Sequence, residues 1–401
     1  MKNKNILISG ASIAGPALAY WLKHYGFNPT VVERAPKLRE GGYKIDVRGV
    51  ATNIIKQMGI YDEVRSASTE MIGASFVNEN GKHIAEMPAG LIGMREDEDV
   101  EIMRGDLSRI IYNKTYNNCE YLFNDSITGI KQTKSGVEVE FEKNAPRTFD
   151  LVIGADGIHS NVRSHIFGDE AQFIHSFGDY YYAIYSIPNY LNLDRYELFH
   201  GAANKTVNVY STKGSKDAKA LFIFRSPSFK YNRRDVAQQK QLLSELYKDM
   251  EWEVPTLLKY IADAPDFYLD TINQIKMDKW FTGRAALLGD AAFGPSLASG
   301  QGTSLALVAA YVLAGELKAA GGDYEQAFTA YQEEMVEFVK INQKIGENVH
   351  QMVPSGGFKL WLQMVMLRLM KYMPMSGLII KKIKEQVLKA SNAIVLKDYG
   401  E

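Results

Sequence analysis

Near the start of the chain, ILISGASIAGPALAYWL runs from apolar residues through a turn of small ones into a second apolar stretch. Ile6 to Ile8 read as a short central strand, Gly10 to Gly15 as a tight connection, and Ala17 to Tyr25 as a helix with Leu18, Trp21 and Leu22 on one face. Such a turn leaves backbone N–H groups aimed at one point, at the positive end of a helix, and the group that suits that point is a phosphate. The string Gly10-Ala-Ser12-Ile-Ala14-Gly15 is a dinucleotide fingerprint with serine at the middle glycine position. Gly10 permits the turn, Ser12 is small enough for backbone to approach a pyrophosphate, and Gly15 lets helix pack on strand. Pro16 falls in the first helical turn, where its missing N–H costs little. A second strand, NPTVVERA, ends at Glu33 and Arg34. Glu33 stands about 20 residues beyond the turn, where a carboxylate accepts a hydrogen bond from a ribose hydroxyl. An acidic residue there suits an adenosine dinucleotide without a 2′-phosphate, and both NAD and FAD remain open.

Other chemistry is sparse. The seven histidines show no metal-ligand spacing, so no metal is expected, and the single cysteine, Cys119, lies in no nucleophile context. Ser12 does not fit a G-x-S-x-G nucleophile elbow, and His159 reads as a turn or helix-start residue rather than a base. Such scarcity is what a chain shows when a bound cofactor carries the hard chemistry and the protein supplies position and electrostatics.

The elements that must position that cofactor repeat one pattern. Strand, glycine turn and helix start recur in DLVIGADGIHSNVR (150–163) and RAALLGDAAFGPSLASGQG (284–302). The β-α-β opening implies a parallel sheet with a right-handed crossover, and the wide separation of the three units makes its domain discontinuous. Between them lie the glycine loop GGYKIDVRG, a helical run from Ala51 to Met58, a hairpin around Asn80-Gly81 and the alternating strand VEVEFEK. From about residue 175 to 270, YYYAIYSIP and ALFIFRS gather aromatic residues in alternating runs that suggest an antiparallel sheet. Helices follow from Gly302 to Gly315 and from Tyr324 to Val349, and a Met-rich segment closes the chain. The expected class is α/β. A Rossmann-like dinucleotide domain (1–70, 101–172 and 272–345) accompanies an α+β substrate domain (71–100 and 173–271) and a C-terminal helical segment (346–401).

Composition narrows the partners. The 401 residues carry 46 basic and 47 acidic side chains, a formal net charge of -1 that offers no bulk attraction to nucleic acid or an anionic membrane. One cysteine excludes an internal disulfide framework and suits a reducing cytosol. The first strand begins too early for a secretory h-region to precede it, so a cytoplasmic location is expected, and a monomer with it. GFKLWLQMVMLRLMKYMPMSGLIIKK is the most membrane-like stretch, but Arg368, Lys371 and Pro374 leave no span of about 18 apolar residues. It is expected as a helix pair packed on the protein body.

Taken together, the three glycine-turn units resemble those of the class A flavoprotein monooxygenases, the family that includes para-hydroxybenzoate hydroxylase. The resemblance implies that Gly289-Asp290 holds the ribityl and pyrophosphate part of FAD. It also implies that the helix after Gly300 and Gly302 aims its N-terminus at the flavin ring, and that Asp156-Gly157 lies where flavin and nicotinamide cofactor meet. GGYKIDVRG, EIMRGDL, IPNYLNLD and TINQIKMDKWFTGRAALLGDAA are similar to segments of the tetracycline destructases, and the similarity covers most of the chain before the Met-rich segment. By that resemblance Asp46, Arg104 and Asp290 match FAD-binding positions, Arg48 belongs to the same pocket, and Arg39 joins it on the nicotinamide side. The family's GDAAH-x-x-x-P is broken by Phe293 at the histidine position and Leu297 at the proline position. The implied reaction is reduction of FAD by NADPH or NADH, addition of O2 as a C4a-hydroperoxide, and transfer of one oxygen to a polycyclic phenolic or enolic substrate, tetracycline being the named candidate. Tyr182, Tyr185, Phe222 and Phe224 are expected to line a dry substrate cavity, with Arg225 as an anchor for an enolate or carboxylate. The alternatives are a hydroxylase of a small aromatic or polyketide intermediate, and an FAD-containing binding protein without turnover.

Overall fold

The computed structural model describes residues 1–400 apart from 40, 89–92, 97, 228, 230, 234 and 371–375. Elements are numbered in chain order. A six-stranded sheet has the order β17 (Phe281–Thr282), β18 (Ala285–Leu287), β11 (Leu151–Gly154), β1 (Asn5–Ser9), β2 (Asn28–Glu33), β7 (Glu120–Phe123). All its pairs are parallel except β17 with β18. Ile6 to Ile8, Leu151 to Ile153 and Ala285 to Leu287 have no accessible surface, as central strands covered on both faces must. Ser9 pairs with Gly154, and Gly154 with Leu287, so the three strands end level and the turns after them share one edge.

The turn after β1 opens α1 (Ala14–His24), three residues ahead of the sequence expectation, because Gly15 and Pro16 are tolerated inside a first turn. Beside α1 lie α4 (Arg104–Thr115) and the long α9 (Gly302–Ala319), with α2 (Val50–Gln57) packed on α9 and α3 (Tyr61–Ser66) on α4. Trp21 of α1 meets Tyr311 of α9 edge-on, with ring centres 4.9 Å apart. Every residue of α9 from Ser304 to Leu317 is buried, so the one helix among the described residues long and apolar enough to cross a membrane forms the core of this layer. The Met-rich segment does not supply it.

A seven-stranded sheet has the order β16 (Tyr268–Ile275), β12 (Ile174–Pro188), β15 (Asp217–Arg225), β14 (Lys205–Ser211), β13 (Tyr196–Ala202), β4 (Gly73–Val77), β5 (His83–Pro88). It is antiparallel except where β13 meets β4. One face is closed by α6 (Val236–Tyr247) and α7 (Val254–Tyr260), whose Leu243, Tyr247 and Leu257 pack on the strands. Two small antiparallel sheets complete the strands, β8 (Ile127–Gln132) to β10 (Arg147–Phe149) through β9 (Val137–Phe141), and β3 (Lys44–Val47) with β6 (Val100–Met103). The remaining helices are α5 (Asn161–Phe167), α8 (Asp290–Phe293), α10 (Tyr324–Gly346), α11 (Gly357–Met370) and α12 (Ser376–Ser391).

The last two helices pack on the body as expected, α11 against β5 and β13, and α12 against α10. Beyond them the tail turns back across α9. Tyr311 donates to the Lys397 carbonyl at 2.8 Å, Tyr399 donates to Glu316 at 2.8 Å, and Lys397 bridges Glu316 and Glu334. Gly315 makes this docking possible, since a methyl group there would stand 2.2 Å from the Tyr399 ring. Alanine in a helix interior is ordinarily better than glycine by about 1 kcal/mol. Here Gly315→Ala is expected to lower the melting temperature, and the same change in a Tyr399→Ala background is expected to raise it. Thermal unfolding of the four proteins of that cycle checks both signs.

Candidate cofactor site and cleft

The three glycine turns touch one another. Gly10 sits at φ +106°, and a side chain there would come within 2.5 Å of the Ala155 carbonyl; one at Gly15 would come within 1.9 Å of the Gly10 carbonyl. The first turn is thereby wedged against the second. A Cβ at Gly289 would contact the Ala14 methyl at 3.4 Å, which puts the third turn against the first. Arg163 closes the triangle. Fully buried, it donates to the Ala291 carbonyl at 2.8 Å and to the Ile158 carbonyl at 2.5 Å, tying the second turn to the third.

Whether each turn has N–H groups left for a ligand depends on capping. Ser160 caps α5, and Asp156 accepts from Ser9 Oγ, Ser160 Oγ and the Asn161 and Val162 N–H groups. Burial raises the Asp156 carboxyl above the usual range, and these hydrogen bonds offset part of the rise. The expectation that Asp156 meets the cofactors is corrected for its side chain, which is turned inward as a clamp. Gly157 beside it faces open space. By contrast α1, α8 and α9 have no side-chain cap at their N-termini. Their leading N–H groups are the orphans that a phosphate or another polar group satisfies. Gln301, immediately before α9, is fully buried with neither amide atom partnered among the described residues.

Around the uncapped ends stand the charged residues. Glu33 accepts from the Ala11 N–H at 2.9 Å and the Ala35 N–H at 2.8 Å, which fixes its carboxylate at the end of β2. Arg104 donates to Ser12 Oγ at 2.8 Å, and Ser108 donates to the Ser12 carbonyl at 2.8 Å, so α4 grips the first turn. Asp290 has an exposed surface yet lies deep among protein atoms, as a group lining a cleft does; burial raises its carboxyl and Arg104 opposes the rise. A side chain at Gly302 would stand 3.6 Å from Asp290 Oδ1, which places that carboxylate at the head of α9. Gly300, at φ +62°, faces open space.

Other expected residues are placed differently. Asp46 bonds Arg48 and Arg95, Arg95 also bonds Glu101, and the Arg48 N–H donates to Ser304 Oγ at 3.1 Å. This pair therefore anchors β3 and the head of α9. Arg34 and Arg39 stand exposed, Arg34 directly after Glu33 and Arg39 with its carbonyl near Gly105 at the head of α4. Phe293 is buried against Trp280, ring centres 4.7 Å apart, so the missing histidine leaves no gap in the cleft. Leu297 packs with Tyr180, Ile223 and Val353, in a loop that Ser296 ties to the Gly346 carbonyl at 2.9 Å.

The second sheet corrects the substrate residues. Tyr181 pairs with Phe224, Ala183 with Phe222 and Tyr185 with Ala220, so these side chains share the face under α6 and α7. Tyr185, Phe222 and Phe224 are buried there, Tyr185 stacked on Phe222, Phe224 on Tyr181, and both phenylalanines edge-on to Tyr247, and do not line a cavity. Tyr182 lies on the opposite face, three residues from Tyr185 and hence of opposite parity. Its neighbours are Tyr268 and Asp270 from β16. Tyr43 joins them; burial raises its hydroxyl, which feels the charges of Arg104, Asp290 and Asp270. Tyr43 therefore stands between the residues beside the glycine turns and this tyrosine cluster. Arg225 is exposed at its strand end, over the Tyr180 ring. Tyr43, Tyr268, Asp270 and Arg163 are functional candidates that the sequence reading missed. YLD in β16 carried the signal for two of them, since alternation puts Tyr268 and Asp270 on one face.

Comparison with known proteins decides the family. Residues 3–341 match the family model described as FAD binding domain. This chain belongs to the FAD-binding flavoprotein monooxygenases. It is 44% identical over 346 residues to a flavin-dependent monooxygenase of Legionella longbeachae serogroup 1 (strain NSW150), covering 86% of this chain and 88% of that one. Its fold superposes on tetracycline destructase Tet(51) with a TM-score of 0.87 at 36% identity over the full length of both chains. With tetracycline destructase Tet(55) the TM-score is 0.83 at 40% identity, over 99% of each chain. The uncapped helix ends, the first turn of mostly small residues, and Arg104 and Asp290 beside them fit a flavin dinucleotide.

For this flavoprotein the raised Asp290 carboxyl has a measurable consequence. A carboxyl whose folded pKa exceeds its unfolded one is ionised at neutral pH at a cost to folding, and the cost vanishes once the pH falls below the unfolded value. Asp290→Asn is expected to stabilise the apoprotein at neutral pH, with the gain shrinking toward the ordinary carboxylate range. Thermal unfolding of apoprotein across that range checks it, and a loss at neutral pH would contradict it.

Proposed function

We propose that this enzyme is an NAD(P)H-consuming monooxygenase of polycyclic phenols or enols, with tetracycline as its candidate substrate. The single observation that carries the reading is the position of Tyr43, whose hydroxyl feels Arg104 and Asp290 on one side and Asp270 on the other, between the uncapped ends of α1 and α9 and the Tyr182–Tyr268 pair. Similarity to Tet(51) and Tet(55) over the whole chain supports the drug as substrate. FAD, when bound, would supply the redox chemistry between a nicotinamide reductant, O2 and the substrate.

The chain's own residues bind, orient and exclude water. The N–H groups at the head of α1 receive the pyrophosphate, and Glu33 takes a ribose hydroxyl with its remaining lone pairs. Arg104 holds the first turn through Ser12 and brings positive charge toward the phosphates, while Asp290 receives the ribityl hydroxyls. The head of α9 gives its dipole to negative charge on the ring, and Arg48 keeps that head in place through Ser304. Tyr43, Tyr182 and Tyr268 form an aromatic wall for a planar substrate. Phe76 and Phe199, stacked at 5.1 Å on the same sheet face, extend it toward the strands on which α11 packs. The chain is read as a cytoplasmic monomer, divided into the cofactor, substrate and C-terminal segments given by its sequence.

Reduction with NADPH in the absence of oxygen, followed by air and tetracycline, is expected to bleach the drug's absorbance and give a product carrying one added oxygen atom. Consumption of NADPH with the drug unchanged would remove tetracycline as the substrate. The absence of any NADPH consumption would favour a flavoprotein that binds its ligand without turnover.

A further inference from the structure

We propose that the cleft selects its ligand by hydrogen-bond sense. Tyr268, locked by Asp270 and His159, presents only an acceptor, so the substrate must offer an O–H or N–H donor at that point, as a phenol or enol does. This rests on the reading of the cleft as the substrate cavity.

The lock begins with a buried anion. Asp270 is 3% exposed on β16. Its Oδ2 receives Tyr268 Oη at 2.7 Å and His159 Nε2 at 3.0 Å, and its Oδ1 receives the Thr271 N–H at 2.8 Å. Burial alone would raise this carboxyl, but the hydrogen bonds from His159, Tyr268 and the Thr271 N–H outweigh burial and hold it below the usual range. An ionised carboxylate only accepts, so each partner must give it a proton. A tyrosine has one proton to give, and Tyr268 has spent it. Nε2 of His159 likewise carries its hydrogen toward Asp270. On the other edge of the imidazole, Arg233 Nη1 lies 2.8 Å and Glu170 Oε2 3.2 Å from Nδ1, and Arg233 is itself held by Glu170 at 2.7 Å. A chain of groups running in from the surface thus fixes the imidazole and, through it, the carboxylate.

What remains for the ligand is the oxygen of Tyr268, a residue that is 39% exposed on the cleft face. Tyr182 stands beside it with ring centres 5.8 Å apart. The Tyr182 hydroxyl is hydrogen-bonded to Tyr268, so it spends its own proton there and its oxygen presents the same acceptor sense. A hydroxyl-bearing ligand completes the chain. A methyl ether or ketone sets lone pair against lone pair and leaves a buried acceptor unsatisfied, a loss of about tenfold or more in affinity.

The test is equilibrium binding of 2-naphthol and 2-methoxynaphthalene to FAD-loaded protein, measured by calorimetry. The wild type is expected to favour the naphthol by about tenfold or more. Tyr268→Phe deletes the acceptor and is expected to abolish the preference. Asp270→Asn removes the anion that holds the Tyr268 proton, and the preference is expected to fall well below the wild-type ratio. A residue that merely supported the fold would shift both affinities together. A wild type that binds neither probe, or binds both equally, overturns the proposal, as does a preference that Tyr268→Phe leaves intact. Because Tyr268→Phe removes one exposed hydroxyl, the result does not depend on whether Asp270→Asn folds. The flavin absorbance of the wild-type sample separates the two readings: colour without preference sinks this inference alone, whereas loss of colour sinks the functional reading.

Discussion

The structure depends on backbone N–H groups at helix N-termini that nothing within the described chain caps. A helix leaves its first amides without partners, and a buried unpaired amide costs free energy comparable to a lost hydrogen bond. The second turn resolves this internally, through Ser160 and Asp156. The heads of α1 and α9 do not, and they are brought together by the register that ends β1, β11 and β18 at one level. The same chain thus builds one closed turn that serves as a brace and two open ones that await a ligand. Arg163 transmits the brace to the open side.

The second sheet follows from alternation. A strand has two faces, and here one is consumed by α6 and α7 while the other is left to the cleft. The covered face took the large rings of Tyr181, Tyr185, Phe222 and Phe224, which stack on one another and stiffen the wall from behind. The other face carries Tyr182, Tyr268, Phe76 and Phe199, with the buried carboxylates of Asp270 and Glu197. That division gives a rigid apolar backing to a surface whose polar groups have fixed direction, which suits recognition of a planar compound with several hydroxyls.

Much of this was legible in the sequence. The strand, glycine turn and helix units show themselves by the abrupt change from continuous apolar strand to small residues, and their order carries the family. Strand ambiguity hid the rest. Tyr182 and Tyr185 look alike in a run of tyrosines, yet a spacing of three puts them on opposite faces, and only the later helices determine which face is covered. Asp156 reads as a cofactor residue from its motif, but Ser9 and Ser160 are small hydroxyls that reach it first. Tyr268 and Asp270 were visible as an alternating pair, but their meaning depends on His159, 111 residues away from Asp270 in sequence. Phe293 marks a departure from the family pattern on paper and a core residue against Trp280 in space.

The most direct test of the account is a titration of apoprotein with FAD, followed by quenching of flavin fluorescence, in the wild type and in Gly15→Val. The account predicts saturation at one FAD per chain for the wild type. For the variant, whose side chain would invade the first turn, it predicts loss of binding. Wild-type protein that takes up no FAD, or a variant that binds it as tightly as the wild type, would contradict the claim that these open turns hold the cofactor.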